Sequence, residues 1–335
     1  MPIRKNAPMG FADVVLEDLG STRTSKLLAK LDAATPWDTL AHPIKQLPEY
    51  KDHGAGRPPW EPTMMLKALM LAKWFNLSDP GLEEALLDRI SFRKFVGLSF
   101  ADSTPDETTF VKFRKRLREA KLDDYLFNSV VKQLDLQGFL VREGTMVDAT
   151  IIEQSTGSKN DDGESTRDQD ASFTKKHGKT HHGYKAHIAC DLSGVITDFK
   201  VTTAKVHDSK CIDDLVEDEE QVVYADSAYS SKDRREGLVS RGVIDAIVYK
   251  RTRGQSDLHD WQDRWNVLVS KVRSRVEHPF AMMKHQLGYR KVRYRGLDRN
   301  GFDVCLMLMA CNLKRSVWLG SKKAEMCVDP VPKSG

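Results

Sequence analysis

Three acidic side chains lie in apolar or helical surroundings where a lone carboxylate is costly. Asp148 interrupts the β-branched apolar run 144–152, and Asp226 ends the apolar run 222–226. An aspartate buried in such a strand as an ion is unfavourable unless it binds a cation or a proton. The third acid, Glu277, lies in a stretch with helical periodicity. The sequence therefore predicts that these carboxylates have a common charge partner.

The chemistry of such a group follows from its charge. Three carboxylates around one point cannot all stay ionised without a cation. Their hard oxygen atoms are ligands that suit Mg²⁺ or Mn²⁺ and do not suit zinc. Two metal ions held in this way are the usual device for in-line attack on a phosphodiester, because one activates the attacking oxygen and the other stabilises the leaving oxygen. If the acids converge, we expect a site with two Mg²⁺ or Mn²⁺ ions.

The helix predicted over residues 270–289 presents two different faces. Arg273, Glu277 and Lys284 fall within roughly 40° of one another on an ideal helix, where they form either a functional face or a surface ion-pair ladder. Pro279 predicts a kink just after Glu277. The apolar stripe lies on a different face and consists of Val269, Val272, Val276, Phe280, Met283 and Leu287.

The elements that must position the acids alternate between strands and helices. This order predicts an α/β catalytic domain over residues 141–320 in which the acids converge at one edge of a sheet, followed by a tail over 321–335. Residues 153–182 are polar and predict a mobile loop. The predicted strands are 144–152, 184–191, 195–203, 222–226 and 246–249, and the predicted helices are 208–216, 226–240 and 302–317.

Residues 1–140 are predicted to form an all-helical domain. A helix opening at a capping box from Thr104 to Glu107 places Phe110, Phe113 and Leu117 in the core. Its outer face is basic, which favours a helix-turn-helix-like DNA module; a purely structural or dimerising helical domain is the alternative. The basic residues on this face are Lys112, Lys115, Arg116 and Arg118.

Composition limits the remaining function classes. The formal net charge is only +4, yet basic residues crowd the stretch 232–299, which fits either a polyanion-binding surface or a solvated face. The five cysteines form no CxxC pair, a pattern typical of a reducing compartment. The apolar run 305–313 is too short to cross a membrane. We therefore expect a cytoplasmic protein with no membrane partner.

A cluster of histidines suggests a zinc site by residue type alone. His177, His181 and His182 have neither cysteine partners nor a regular helical spacing, so the pattern does not favour one.

Six motifs together resemble one family of enzymes. They are MVDAT around Asp148, GYKAH from Gly183, YADSAY around Asp226, RSRVEHPFAMMK around Glu277, GRPPWEP from Gly56 and PDETTFVKFRKRL from Pro105. In these residues the chain is similar to the DDE transposases of bacterial insertion sequences, specifically the insertion-sequence-five family, whose catalytic domain is ribonuclease-H-like. The resemblance extends from about residue 56 to residue 315.

The resemblance implies a role for each matching residue. It implies that Asp148, Asp226 and Glu277 are both the catalytic residues and the metal ligands. It implies double-stranded DNA as the partner, comprising the inverted-repeat ends of an element and a target, and a homodimer or higher assembly on that DNA. The residues implied to bind DNA are Arg273, Lys284 and Lys185 in the catalytic domain and Lys112, Lys115 and Arg116 in the N-terminal domain.

One position departs from the family pattern. Ser270 occupies the place where the family has a tyrosine ahead of Arg273, Glu277 and Lys284. This departure removes the contact assigned to that tyrosine and leaves the metal site unaffected.

Two other functions fit part of the sequence. One is a sequence-specific DNA-binding protein, such as a self-repressor, whose catalytic site has decayed; intact acids at all three positions argue against it. The other is a metal-dependent nuclease that hydrolyses DNA without joining strands.

Overall fold

The structure is a computed structural model that describes most of the chain. The described residues form two compact units. One unit comprises the described residues up to Gln133 and those from Met309 onward, and the other runs from Leu134 to Leu308. The described residues are 22–51, 57–157, 165–176, 178–216, 220–251 and 254–326.

The first unit is helical, and its helices begin at the positions that their capping side chains dictate. The Glu61 carboxylate accepts a hydrogen bond from Met64 N, with Pro62 in the first turn, and the Ser78 hydroxyl accepts one from Gly81 N. The helices are α1 (Arg23–Ala34), α2 (Trp37–Lys45), α3 (Pro48–Lys51), α4 (Pro62–Trp74), α5 (Asp79–Asp88), α6 (Ile90–Val96), α7 (Glu107–Glu119) and α8 (Asp123–Leu136).

The predicted core of this unit is largely confirmed. Phe110, Phe113 and Leu117 of α7 are buried, as the helical period requires. Ile90, at the start of α6, is 44% exposed and lies outside this core. The capping residue of α7 is Asp106, whose carboxylate accepts a hydrogen bond from Thr109 N, so the cap lies two residues later than the predicted Thr104.

The second unit is built on a mixed sheet with six described strands. The strands are β1 (Thr145–Glu153), β2 (Ser172–Lys176), β3 (Lys179–Asp191), β4 (Ile196–Thr203), β5 (Val222–Ala225) and β6 (Ile244–Ile247). Strands β2 and β4 both pair with β3, and from β3 the order runs β1, β5, β6. Strand β3 is antiparallel to β2, β4 and β1, whereas β1, β5 and β6 are parallel. This order confirms the predicted α/β, ribonuclease-H-like class.

Helices α9 (Ile212–Leu215) and α10 (Lys232–Ser240) lie between the later strands in the chain and pack against the sheet. The apolar residues in this packing include Val147, Ala225, Tyr229 and Leu238, all at most 2% exposed. The helices that follow β6 are α11 (Asp260–Arg273), α12 (Glu277–Ala281) and α13 (Leu297–Met326).

Two predicted segments differ in the structure. The region predicted as a loop over 153–182 contains β2 and the start of β3, which pair as a hairpin with Ser172 opposite Gly183; alternation is weak there because most of these side chains are exposed. Residues 158–164 and His177 of that region lie outside the described residues. Helix α13 extends to Met326, so the beginning of the predicted tail is helical.

The helix predicted over 270–289 is irregular. Helix α11 passes into a 3₁₀ turn at Ser274–Val276, then into α12, and then into a π-helical segment at Met282–Gln286. Pro279 provides no N–H for the regular ladder, and the irregularity accordingly flanks it on both sides. The kink was predicted only after Glu277, whereas the 3₁₀ turn precedes it. Across the part of the chain that the structure describes, none of the helices has the length and apolarity to span a bilayer.

Candidate active site

Asp148 and Asp226 lie side by side because their strands are neighbours. Val147 of β1 is the register partner of Ala225 of β5 in a parallel pair, so the next residue of each strand is one of the two aspartates. The side chain of Asp148 is 22% exposed and that of Asp226 is 46% exposed. The strand pattern correctly predicted that two carboxylates meet at this edge of the sheet.

The two aspartates have different environments. Desolvation raises the pKa of Asp148, an effect opposed by a hydrogen bond from Ala149 N and by the charge of Arg273. Asp226 caps the short 3₁₀ turn Ser227–Tyr229, and its Oδ1 accepts a hydrogen bond from Ser227 N at 2.6 Å. Asp148 is therefore the carboxylate whose ionised form most needs a positive partner.

Arg273 provides positive charge to both carboxylates. Its Nη2 lies 3.8 Å from Asp148 Oδ2, and its Nη1 lies 3.8 Å from Asp226 Oδ1. Its Nε is buried without a hydrogen-bond partner in the described structure. The sequence identified no cation for the two aspartates, because their partner comes from a distant helix. Arg273 was predicted only as a DNA contact, and its ion pairs with both acids were missed.

The structure does not bring Glu277 into this cluster. Glu277 is exposed at the start of α12, and its carboxylate forms neither a hydrogen bond nor an ion pair with another described residue. Among the described residues there is no set of three Asp, Glu, His or Cys side chains placed to hold a metal ion. The structure thus assembles Asp148, Asp226 and Arg273, and the irregular helix around Pro279 accounts for the different position of Glu277.

Lys284 and Lys185, which were predicted to bind DNA, are engaged within the protein. Lys284 Nζ donates to the carbonyl oxygen of Ile151 at 2.8 Å, and burial lowers the pKa of Lys284. Lys185 Nζ donates to Val206 O and to Asp208 Oδ1, both at 2.8 Å. Its side chain is only 13% exposed. Ideal helix and strand geometry predict the face on which a lysine lies but not the carbonyl that it reaches.

In the first unit, the predicted basic face of α7 is exposed but partly paired. Lys115 Nζ lies 3.6 Å from Glu119 Oε1, and Arg116 Nε lies 3.6 Å from Glu49 Oε1. Lys112 is exposed and borders a cleft of about 630 Å³, which is also lined by residues of the ranges 48–50 and 57–60.

One residue whose charge acts on Asp148 was missed by the sequence analysis. The positive charge of Lys176 on the β2–β3 hairpin favours a lower pKa for both Asp148 and Lys284. The basic run around Lys175 and Lys176 was visible in the sequence, but it was assigned to a loop.

Two protein families and one solved structure match this chain. Residues 140–313, more than half of the chain, match the family described as Transposase DDE domain. Residues 16–116 match the family described as Transposase domain (DUF772). A solved structure titled the cryo-EM structure of piggyBac transposase synaptic complex with hairpin DNA matches with 11% sequence identity and a TM-score of 0.44, covering 90% of this chain and 75% of its own. On the family matches, the chain belongs to the DDE transposases.

Proposed function

We propose that this transposase belongs to the insertion-sequence-five type, cuts DNA at the terminal inverted repeats of its own element and joins the freed 3′-ends to target DNA. The observation that carries the proposal is the pair of aspartates on neighbouring parallel strands, Asp148 and Asp226, facing one shared guanidinium. A pair of partly desolvated carboxylates that share one guanidinium as their ion-pair partner among the described residues is a donor set for a hard divalent cation.

DDE transposases generally use divalent metal ions, and the side chains in this protein fit such an ion. We assign Asp148, Asp226 and Glu277 as the residues that would hold it, with Mg²⁺ or Mn²⁺ as the metal and two ions per site. When bound, the ions would supply a Lewis acid for the phosphodiester and a lowered pKa for the attacking hydroxyl or water. Glu277 would have to approach the aspartates, and its exposed position on the short helix α12 leaves the carboxylate free for that movement.

Arg273 has two roles in this proposal. In the free protein its guanidinium neutralises the two aspartates. Once the aspartates have another cation, the planar fork of the guanidinium is available for a DNA phosphate, which it can bind with two parallel hydrogen bonds. Lys284 has a different role, because its bond to Ile151 O anchors the π-helical segment to β1.

The helices of the first unit are proposed to recognise the ends of the element and to help pair subunits in a homodimer or higher assembly. Lys112 is exposed on α7. Lys115 pairs with Glu119 and Arg116 pairs with Glu49, and the side chains of both ion pairs are partly exposed to solvent. Such pairs are worth well under about 1 kcal/mol, so they can exchange their carboxylate partners for DNA phosphates.

The experiment combines sequence and biochemistry. The DNA flanking the reading frame should contain short inverted repeats bounded by a direct duplication. A linear DNA that carries those ends, incubated with the purified protein, Mg²⁺ and a supercoiled target, should give joined products. Cleavage of the ends without joined product would favour the nuclease, and end binding without cleavage would favour the inactive DNA-binding protein.

A further inference from the structure

The tip of the β2–β3 hairpin carries three exposed lysines. Lys175, Lys176 and Lys179 form no ion pair with any residue that the structure describes. Lys176 and Lys179 are also direct register partners in the antiparallel pair. Like charges directly opposite each other destabilise a hairpin. An arrangement that works against folding indicates a function for the two charges.

The hairpin is attached at the end of the strand that carries Asp148. Gly183 of β3 is paired with Glu153 of β1 and also with Ser172 of β2. Beyond the last residue of β1, Gln154 N donates to His182 O at 2.8 Å. His181 Nδ1 lies 3.2 Å from Glu153 Oε1. These contacts fix the base of the hairpin at the end of β1, the strand that carries Asp148.

Strand β1 connects the hairpin to the acid cluster. Asp148 and Glu153 belong to this one strand, and they lie five residues apart, or about 17 Å at about 3.3 Å per residue. A duplex held at Asp148 and Asp226 extends over such a distance, because one turn of B-DNA is about 34 Å long.

The surface beside the hairpin is also basic. Arg290 and Lys291 are exposed, and their backbone holds the end of β1 because Glu153 N donates to Arg290 O and Val292 N donates to Glu153 O. Among the described residues, the hydrogen-bond partners of the Arg290 guanidinium are the ring of His285 and the carbonyl oxygen of Lys284. The lysines of the hairpin therefore extend a positive surface, and the carboxylate of Glu153 beside it already faces the ring of His181.

We propose that the β2–β3 hairpin is a DNA clamp, in which Lys175, Lys176 and Lys179 bind phosphates of the duplex held at the Asp148–Asp226 site. This inference rests on the proposed function, because it takes the DNA at that site as the occupant. Phosphate contacts of this kind are independent of sequence and depend strongly on salt. An acidic protein surface is the alternative partner, and it is an outcome of the test.

The test uses the full chain without metal, so that it reads binding and not catalysis. Lysine acetylation is measured by mass spectrometry with and without a duplex of arbitrary sequence. We expect DNA to slow acetylation of Lys176 and Lys179 several-fold and to leave Lys26 and Lys30 of α1, which are exposed, unchanged. The K176Q/K179Q variant should bind the duplex more weakly than the matched K26Q/K30Q variant. Its plot of log affinity against log salt should be shallower by about 0.9 for each phosphate that the variant no longer neutralises.

The possible outcomes separate the alternatives. Equal acetylation of the hairpin with and without DNA, or wild-type binding by K176Q/K179Q, would overturn the clamp and leave an acidic protein as the partner to seek. A lower melting temperature in K176Q/K179Q would make the lysines structural and would also overturn it, since removal of a like-charge pair should not destabilise the fold. Failure of the proposed function has a different result: no cleavage with Mg²⁺, whether or not the hairpin is protected by DNA.

Discussion

At the scale of single residues, the site is defined by charge balance between two acids and one base. Asp148 and Asp226 face each other across neighbouring strands, and Arg273 lies within 3.8 Å of both. A guanidinium and a divalent cation satisfy the same two carboxylates, so they compete for them.

Arg273→Ala tests this competition. Without metal, the variant should be less stable than the wild type by about 1 to 2 kcal/mol, because two partly buried carboxylates lose their shared cation. With Mg²⁺ or Mn²⁺ the difference should shrink, since the metal ion replaces the missing charge. Thermal unfolding with and without metal measures both values. Arg275→Ala is the matched control. Arg275 is exposed, and among the described residues its guanidinium donates one hydrogen bond, to Leu192 O at 3.4 Å.

The result for Arg273 also separates two accounts of the helix. If Arg273 were a DNA contact with no ion pair inside the protein, Arg273→Ala would leave the melting temperature nearly unchanged and would lower strand joining by orders of magnitude. The ion pairs in the structure change the first expectation and keep the second. A loss of stability that is the same with and without metal would show that Arg273 and the metal do not share the aspartates.

At the scale of elements, Lys284 connects the π-helical segment to the catalytic strand. Its ammonium group donates to Ile151 O in β1, and that carbonyl loses its side-chain donor if the lysine is removed. Lys284→Ala should therefore lower the free energy of unfolding by about 1 to 3 kcal/mol. Removal of a lysine that served only as a DNA contact would leave that free energy unchanged. Chemical denaturation measures the difference. Lys271→Ala, which alters an exposed lysine of α11, should stay near wild type.

The basic face of α7 is the second element with a testable role. The K112Q/K115Q variant should lose affinity for all duplexes to a similar degree, with a salt slope smaller by about one unit for each phosphate that is no longer neutralised. The experiment needs the full chain, because the first unit includes the end of α13 and Trp74 Nε1 donates to Ala310 O at 3.1 Å. A fragment limited to residues 56–134 would lack that helix. Unchanged affinity and slope would leave α7 a structural or dimerising role.

The same elements show how far the sequence can be read. Asp148 and Asp226 were predictable because a polar residue in a short β-branched run is unusual and parallel neighbours share an edge. The position of Glu277 was not, because the prediction assumed an ideal helix and the chain forms a 3₁₀ turn and a π-helical segment around Pro279. Lys176 was missed because the residues near the tip of the β2–β3 hairpin are exposed, so apolar and polar side chains do not alternate there.

At the scale of the whole molecule, stability should depend on pH through a buried histidine of the sheet. His187 is 0% exposed, its Nε2 contacts Thr202 Oγ1 at 2.9 Å, and desolvation lowers its pKa to about 4 despite the charge of Asp208. The unfolded chain takes up the proton near pH 6.5 and the folded chain does not. Stability is therefore full above about pH 6.5 and falls as the pH is lowered toward about 4, by about 3 kcal/mol in total.

Unfolding of the wild type and of His187→Gln as a function of pH measures this dependence. The glutamine variant should have lost most of the change between about pH 6.5 and about pH 4, although its stability at neutral pH is lower. Parallel curves for the two proteins would assign the acid sensitivity to other groups. The neighbouring charges that face His187 are Asp208, Lys185 and Lys200, and they are the same in both proteins.

The central claim is that the acid cluster cuts DNA, and Asp226→Ala tests it most directly. The measurement is the rate of strand cleavage at the element's ends in Mg²⁺, together with the affinity for the same DNA without metal. Asp226 lies at a strand end and is 46% exposed, so its removal should leave the fold and DNA binding near wild type. Glu236→Gln on the exposed face of α10 is the matched control. The account predicts no detectable cleavage by Asp226→Ala and wild-type cleavage by Glu236→Gln. Nicking by Asp226→Ala at a rate close to that of the wild type would contradict it.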